Sequence, residues 1–240
     1  MINFYTSYSG ILIVISILLP IIASLLHYQI IGAKGVSLNS HENVIPRFSM
    51  AERIFHFIRT LSFIIVAGTG IFFVFYGGSK SSGITHGMSG YIFLIMSICT
   101  LIIWFKPCLF KKHDGLWLKH GGGYLTQEEV PLPAGKFNAG QKIFFWLSLL
   151  LSLILSGTGI NLQKSAIAQV AVNDVTLVIH GVSAALLILT VIGHIYLSLW
   201  VNKGTWRVLT SGKVSVEWAK CHHPLWESTL QINEETKPAE

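Results

Sequence analysis

Five long apolar stretches separated by polar loops dominate the pattern of this sequence. We place them at residues 10–31, 53–76, 86–105, 143–162 and 173–200. Each is close to the roughly 20 residues that an α-helix needs to cross the hydrocarbon core of a bilayer. Short loops join the second stretch to the third and the fourth to the fifth, so each of these pairs is expected to form antiparallel neighbours. The pattern predicts an all-α membrane protein with five spans.

Composition agrees with this prediction, and the basic residues give the spans an orientation. The chain is 52% hydrophobic and 12% charged, whereas a soluble domain is about 25% charged. Alternating spans place Lys80 and Lys164 on one side, and the other fifteen of the 17 lysines and arginines on the opposite side or at its boundary. Since cytoplasmic loops carry the excess of Lys and Arg, the N-terminus is expected outside and the C-terminus in the cytoplasm. The net charge of +6 is therefore a topology signal, and no nucleic-acid partner is expected.

Local signals refine the ends of the spans and narrow the cofactor chemistry. A signal peptide is the alternative for the first stretch, but residues 1–9 carry no Lys or Arg and no A-x-A-like site follows, which favours a retained helix. Ser49, with Glu52 three residues later, is expected to cap the second helix. The three cysteines have no CxxC or CxxCH spacing, which disfavours covalent c-type haem and a thiolate zinc site.

The fifth span carries two histidines in an apolar helix. His180 and His194 are 14 positions apart, close to four helical turns, so they share nearly one face and lie about 21 Å apart along the axis. An ionisable residue inside a membrane indicates a functional site by default. For His27, near the end of the first span, snorkelling or capping is as well supported as ligation. Five histidines fall in polar loops or the tail, where solvation is expected: His41, His113, His120, His222 and His223.

The four remaining histidines pair by depth in the predicted topology. His56 and His194 fall at the cytoplasmic edge, whereas His86 and His180 fall at the outer edge. Two neutral imidazoles on opposite sides of an iron are a common way to hold an electron-transfer haem. The depths therefore predict two haem groups, one above the other. A single zinc or copper ion is less favoured, because ligands about 21 Å apart cannot share one ion.

A weak internal repeat relates the two helical hairpins. AGTGI at 67–71 is similar to SGTGI at 156–160, and THGMS at 85–89 is similar to IHGVS at 179–183. Two hairpins of common design predict a four-helix bundle to which the first helix is an addition. The glycines beside the histidines and at mid-depth would make room for a flat macrocycle. Close helix packing by small residues explains these glycines equally well.

Four stretches of the chain resemble the gamma subunit (cytochrome b) of membrane-bound formate dehydrogenase. They cover most of 47–226 and read RIFHFIRTLSFIIVAGTGIFF, FNAGQKIFFW, LVIHGVSAALLILTVIGHIYLSLW and WAKCHHPLW. The resemblance implies a four-helix transmembrane di-haem cytochrome b bundle. It implies two haem b groups whose ligands fall on His56 with His194 (inner haem) and on His86 with His180 (outer haem), in agreement with the depths. Residues 1–46 go beyond this four-helix pattern, and 106–133 match it poorly.

The resemblance also implies a quinone pocket at the asparagine, glycine and glutamine of NAGQ, which are Asn138, Gly140 and Gln141. From the residues alone, capping of the fourth span by Asn138 and quinone binding by the Asn and Gln side chains are equally supported. The resemblance favours the pocket, and both roles are compatible. The substrate would be menaquinone or ubiquinone.

The implied function is that of the di-haem b subunit of a formate dehydrogenase in the bacterial inner membrane. It would carry electrons from a periplasmic iron–sulfur beta subunit across the membrane to quinone on the cytoplasmic side. Formate oxidation would reside in a molybdenum or tungsten alpha subunit, because this sequence has no motif for that chemistry. Members of this family often form higher oligomers, so the resemblance also implies a possible higher oligomer of the complex. We expect three segments: 1–46 as an additional helix and loop, 47–200 as the haem-binding core and 201–240 as a cytoplasmic tail.

Two alternatives remain open. The same scaffold could serve a hydrogenase or a thiosulfate or polysulfide reductase, although NAGQK and WAKCHHPLW favour formate dehydrogenase. A transporter or a purely structural anchor is disfavoured, because the predicted spans have no acidic residue in their interior.

Overall fold

The computed structural model describes residues 2–33, 43–127 and 132–235, and nothing is stated about the structure of the rest. Within these residues, five helices are long and apolar enough to span a membrane, with candidate spans at Ser7–Ile30, Met50–Tyr76, Lys80–Trp104, Ala139–Ala168 and Asp174–Val201. The prediction of an all-α membrane protein with five spans is confirmed. The helices and strands are α1 (Ile2–Ile30), β1 (Val44–Pro46), α2 (Met50–Tyr76), α3 (Lys80–Trp104), α4 (Lys112–Lys119), α5 (Ala139–Ala168), α6 (Asp174–Tyr196), α7 (Arg207–Thr210), β2 (Lys213–Ser215), α8 (Val216–His222) and α9 (Pro224–Glu235). A 3₁₀ turn covers Gly121–Gly123, and a π-helical turn, Leu197–Val201, follows α6.

Helix ends follow the capping chemistry of the sequence. The Ser49 amide donates to Glu52 Oε2 at 2.8 Å and the Glu52 amide donates to Ser49 Oγ at 3.3 Å, which confirms the expected cap of α2. The start of α3 differs from the prediction of a loop at 77–85. Ser79 caps this helix, because its Oγ accepts from the Ser82 amide at 3.1 Å, and residues 80–85 are helical. His86 consequently lies well inside α3 and not at its first residue.

The chain forms two compact units. The first comprises Met1–Ala23, Ile54–Ile103 and Trp146–Gly193. In its core, Phe93, Leu151 and Leu187 of α3, α5 and α6 pack together with Phe63 of α2, so the four helices that carry the repeat meet in one cluster. Ile13 of α1 packs against α6 and α2 in a separate cluster. This arrangement agrees with a four-helix core to which α1 is an addition.

The second unit comprises Ser24–Arg53, Trp104–Phe145 and His194–Glu240. Its strands β1 and β2 pair antiparallel, with Ile45 opposite Val214. The Gly212 carbonyl accepts from the Arg47 amide at 2.8 Å, and its φ of +74° is a left-handed conformation that favours glycine. Val208, Val214, Trp218 and Ala219 form a small core of their own. The C-terminal segment, predicted as a polar tail, is therefore folded onto residues 44–48.

Candidate haem-binding site

The structure brings His86 and His180 together in the first unit. His86 lies on α3 and His180 on α6, and each is six residues after the first residue of its helix, or about 9 Å along the axis. Their ring centroids are 6.2 Å apart, with the ring planes inclined at 58°. Both side chains are partly buried among the apolar helices of this unit. The two histidines are therefore neighbours at one depth, as predicted from the sequence.

The separation of these rings fits a metal held between them. A bond from a metal to an imidazole nitrogen is about 2 Å long, and two such bonds plus two half-rings of roughly 1 Å each span about 6 Å. The observed separation of 6.2 Å matches that sum. His86 and His180 are thus close enough together that they could hold one haem iron between their rings.

The repeated GTG tripeptide lies against both histidines. Thr69 Oγ1 is 2.9 Å from His86 Nδ1, and Thr158 Oγ1 is 2.9 Å from His180 Nδ1. The glycine after each threonine faces the same ring: a Cβ at Gly70 or at Gly159 would lie 3.3 Å from Cε1 of the histidine. The sequence contained this signal in its repeat, but the threonines were not recognised as part of the site. Their two contacts have matching lengths.

His56 and His194 belong to different units, and their predicted pairing stays a prediction. His56 lies on α2 in the first unit, six residues after Met50. In the second unit, the ring of His194 stacks on Phe144, with centroids 4.1 Å apart and planes within 2° of each other. Stacking on a flat aromatic ring fixes the plane of the imidazole.

Arg59 is a further charged residue of α2 that the sequence reading did not single out. It is three residues after His56, and residues at that spacing project from the same side of a helix. Its Nη2 donates to Ser148 Oγ at 3.2 Å, and its guanidinium lies 5.6 Å from the centre of the Phe93 ring. An arginine inside an apolar span marks a functional position by default. The signal was present in the sequence, because Arg59 is the only lysine or arginine within the stretch at 54–76.

The remaining histidines differ in their surroundings. His27 uses both ring nitrogens: Nε2 donates to the Tyr124 carbonyl at 2.7 Å, and Nδ1 lies 2.6 Å from the Tyr196 hydroxyl. Both partners lie outside α1, so His27 connects this helix to other segments, and the two bonds occupy both ring nitrogens. His120 is exposed, His113 and His222 are partly buried, and His41 lies outside the described residues.

The expectation that His223 is solvated was wrong. Its side chain belongs to a residue that is 1% exposed, its Nδ1 donates to the Gly135 carbonyl at 2.6 Å, and its Nε2 accepts from Arg47 at 2.9 Å. Burial, with Arg47 beside it, lowers the pKa of His223 well below its usual value. Arg47 is buried too, which lowers its pKa to about 9, and its guanidinium lies 4.5 Å from the centre of the Trp218 ring. Two residues of the WAKCHHPLW stretch therefore hold the C-terminal segment together.

The NAGQ stretch starts α5 with a reciprocal cap. The Gln141 amide donates to Asn138 Oδ1 at 2.9 Å, and the Asn138 amide donates to Gln141 Oε1 at 3.1 Å. The capping alternative for Asn138 is thus observed. The ring that approaches Gly140 belongs to Trp117, since a Cβ at Gly140 would lie 2.7 Å from Trp117 Cη2.

Tyr124 lies in the GGGYL segment to which the sequence reading assigned no role. Its hydroxyl accepts from Asn202 Nδ2 at 3.0 Å and also interacts with the Asn138 side chain. Burial raises the pKa of Tyr124, so the phenol stays protonated at neutral pH. The side chain of Asn138 thus bonds both to the Gln141 amide and to Tyr124. The side chain of Gln141 uses its oxygen in the cap, so its side-chain nitrogen is a donor that takes no part in the cap.

Comparison with known proteins identifies the family. The model of the prokaryotic cytochrome b561 family matches residues 47–212. The formate dehydrogenase cytochrome b556(fdo) subunit of Escherichia coli K12 is 30% identical over 207 residues, which cover 81% of this chain and 97% of that subunit. The nitrate-inducible cytochrome b556(Fdn) subunit of the same strain is 29% identical over 214 residues, covering 84% of this chain and 98% of that subunit. The chain therefore belongs to the prokaryotic cytochrome b561 family, among the cytochrome b subunits of formate dehydrogenase.

Proposed function

We propose that this chain holds two haem b groups and delivers electrons from a formate dehydrogenase to quinone. Haem b, when bound, supplies one-electron chemistry. His86 and His180 would hold the outer group, and the observation that carries the proposal is their 6.2 Å ring separation with a matching threonine contact on each ring. His56 and His194 would hold the inner group. The membership in a cytochrome b family supports haem b as the cofactor.

The proposed quinone site lies at the start of α5. Quinone carbonyl oxygens need hydrogen-bond donors, and the amide nitrogen of Gln141 is the donor that the cap with Asn138 does not use. The indole of Trp117 packs against Gly140 and would form an aromatic wall of the quinone site. Menaquinone or ubiquinone would be reduced here, and protons would come from the cytoplasm.

The proposed orientation makes the electron path electrogenic. With the N-terminus outside and the C-terminus in the cytoplasm of a bacterial inner membrane, electrons would enter from an iron–sulfur subunit on the periplasmic side. Each electron that crosses inward moves against an outside-positive potential, which costs roughly 2.3 kcal/mol per 100 mV. Formate oxidation, in a separate alpha subunit, would supply this free energy. The chain would thereby conserve energy without pumping protons itself.

An optical spectrum of the purified complex tests the haem proposal. The reduced protein should show the bands of low-spin haem b, with about two haems per chain. His180→Ala should remove the outer haem, and His194→Ala should remove the inner haem and quinone reduction. His120→Ala is the matched control, because this histidine is exposed and should leave both haems in place. A protein without haem, or histidine variants that keep both groups, would refute the ligand assignment.

Copurification distinguishes formate dehydrogenase from the alternative partners. Pull-down of the tagged full chain from its native membrane should recover an iron–sulfur subunit and a formate-oxidising subunit. Recovery of a hydrogenase or a sulfur-compound reductase would refute the proposed partners while leaving the haem assignment intact. Formate-dependent reduction of the haem bands in these membranes provides an independent check.

A further inference from the structure

Thr69 and Thr158 make the same three contacts in two different helices. Thr69 Oγ1 lies 2.7 Å from the Ile65 carbonyl, 3.1 Å from the Val66 carbonyl and 2.9 Å from His86 Nδ1. Thr158 Oγ1 lies 2.7 Å from the Ile154 carbonyl, 3.2 Å from the Leu155 carbonyl and 2.9 Å from His180 Nδ1. The two hydroxyls occupy equivalent positions of the GTG repeat. Bonds to carbonyls of the same helix would satisfy each hydroxyl, so they do not explain why both threonines also contact a histidine of another helix.

The contacts determine which atom carries each proton. A threonine hydroxyl has one proton, and a carbonyl oxygen can only accept. Because the hydroxyl oxygen of Thr69 is 2.7 Å from a carbonyl oxygen, its proton must lie between these two atoms. The hydroxyl oxygen then accepts from His86 Nδ1–H, and the same reasoning applies to Thr158 and His180. In both rings Nε2 is left with its lone pair.

We infer that Thr69 and Thr158 are positioning residues for the outer haem, each holding the Nδ1–H of one axial histidine so that Nε2 binds the iron. The inference rests on the proposed ligand roles of His86 and His180. A histidine that binds a metal usually donates its other ring N–H to a fixed acceptor, which sets the tautomer, the ring orientation and the basicity of the ligand. The glycine that follows each threonine leaves room for the ring at that place. The GTG tripeptide thus combines a hydrogen-bond acceptor with a surface that receives an imidazole.

Valine and serine substitutions distinguish the effect of the threonine hydroxyl from the effect of the side-chain shape. Thr69→Val and Thr158→Val keep the branched side chain and remove the acceptor, whereas Thr69→Ser and Thr158→Ser keep the hydroxyl. Thr100→Val is the matched control: its hydroxyl also donates to the carbonyl four residues back at 2.7 Å, but it is 14 positions after His86 on α3. All variants are purified as the complete complex and reduced stepwise in an optical redox titration.

The valine variants should weaken retention of the outer haem about 10- to 100-fold, the usual effect of removing such a partner. The midpoint potential of the haem that stays bound should rise, because a less basic imidazole stabilises ferric iron less. A tenfold change in the ratio of ferric to ferrous iron corresponds to about 59 mV for a one-electron couple. The serine variants and Thr100→Val should titrate as the unaltered protein does.

Each outcome has a distinct meaning. Valine variants with unaltered haem retention and potential would overturn the inference. Failure of serine to restore the potential, or an equal effect of Thr100→Val, would assign the change to packing and would overturn it as well. The histidine variants test the proposed function separately: if His86→Ala and His180→Ala both keep two haems, the ligand assignment fails. Loss of one haem in these variants, with unaltered valine variants, would refute only the role of the threonines.

Discussion

A single methyl group at Gly159 should weaken haem binding at the proposed outer site. Gly159 lies on α5 beside the ring of His180, and an added Cβ would approach His180 Cε1 to 3.3 Å. Carbon atoms pack best at about 3.5–4.0 Å, so the ring would have to move by roughly 0.2–0.7 Å. Thr158, the preceding residue, holds Nδ1 of the same ring at 2.9 Å, so this movement would also strain the hydrogen bond. Gly159→Ala is therefore expected to displace the proposed ligand from two directions.

The expected magnitude follows from the cost of overpacking, which is about 1–3 kcal/mol at a filled site. The gain of about 1 kcal/mol in helix propensity from glycine to alanine stabilises the protein with and without haem, so it does not change the haem affinity. Since each 1.4 kcal/mol is a factor of ten, haem would be held roughly 5- to 150-fold more weakly. Gly70→Ala should behave alike, because its Cβ would also lie 3.3 Å from Cε1 of its histidine, His86.

Transfer of haem to excess apomyoglobin measures this loss, because haem b is not bound covalently. Gly115→Ala is the control: this glycine is exposed on α4, and an added Cβ there would meet nothing within 4 Å. This variant should release haem at the unaltered rate. Equal release from Gly159→Ala and Gly115→Ala would refute the argument from ring contact, as would a Gly159→Ala protein that keeps haem as firmly as the parent chain.

Three further predictions concern the second unit. Asp114→Asn should destabilise the second unit by about 3–5 kcal/mol in thermal unfolding, because the substitution leaves the buried Lys142 without the carboxylate that lies 2.7 Å from its Nζ. The double variant Asp114→Asn with Lys142→Met should recover part of that loss. Stability should fall below pH 6.5, by up to about 1.4 kcal/mol per pH unit, because His223 takes up a proton only on unfolding; His223→Gln should flatten this slope in urea titrations. Cys108, whose pKa burial raises to about 12, should resist alkylation at pH 8 until the protein is denatured, and rapid labelling of the folded chain would contradict its burial.

The part of the fold that local pattern determines was predictable. Each span is a run of apolar residues longer than a bilayer requires, and the cap formed by Ser49 and Glu52 depends on residues three positions apart. The neighbourhood of His86 and His180 also followed from the sequence. Two equivalent histidines in repeated hairpins come to one depth when the hairpins pack in the same way, and the ring separation of 6.2 Å confirms that they are neighbours.

Contacts between residues far apart in the chain left no local signal. His223 was expected in solvent because it stands in a polar segment, yet Arg47, 176 positions earlier, covers it. Gly140 lies against the indole of Trp117, which is 23 positions earlier in the chain. The charge balance of Lys142 depends on Asp114, 28 positions away. These contacts depend on tertiary packing. The helical pattern of apolar residues, which repeats every three or four positions, does not predict them.

The places where the repeat fails explain why the proposed inner haem site would be asymmetric. The repeat relates α3 to α6 and α2 to α5. If both hairpins carried the same ligands, α3 would have a histidine at position 100, which is equivalent to His194 of α6. Likewise, α5 would have a histidine at position 145, which is equivalent to His56 of α2. Thr100 and Phe145 occupy these positions instead, and they are only 5% and 6% exposed. The Thr100 hydroxyl donates to the Met96 carbonyl, so this side chain satisfies itself within its own helix. Neither position has the chemistry to bind iron. The proposed second haem would therefore take one ligand from each hairpin, His56 from the first and His194 from the second, and α6 would carry a ligand of both proposed haems.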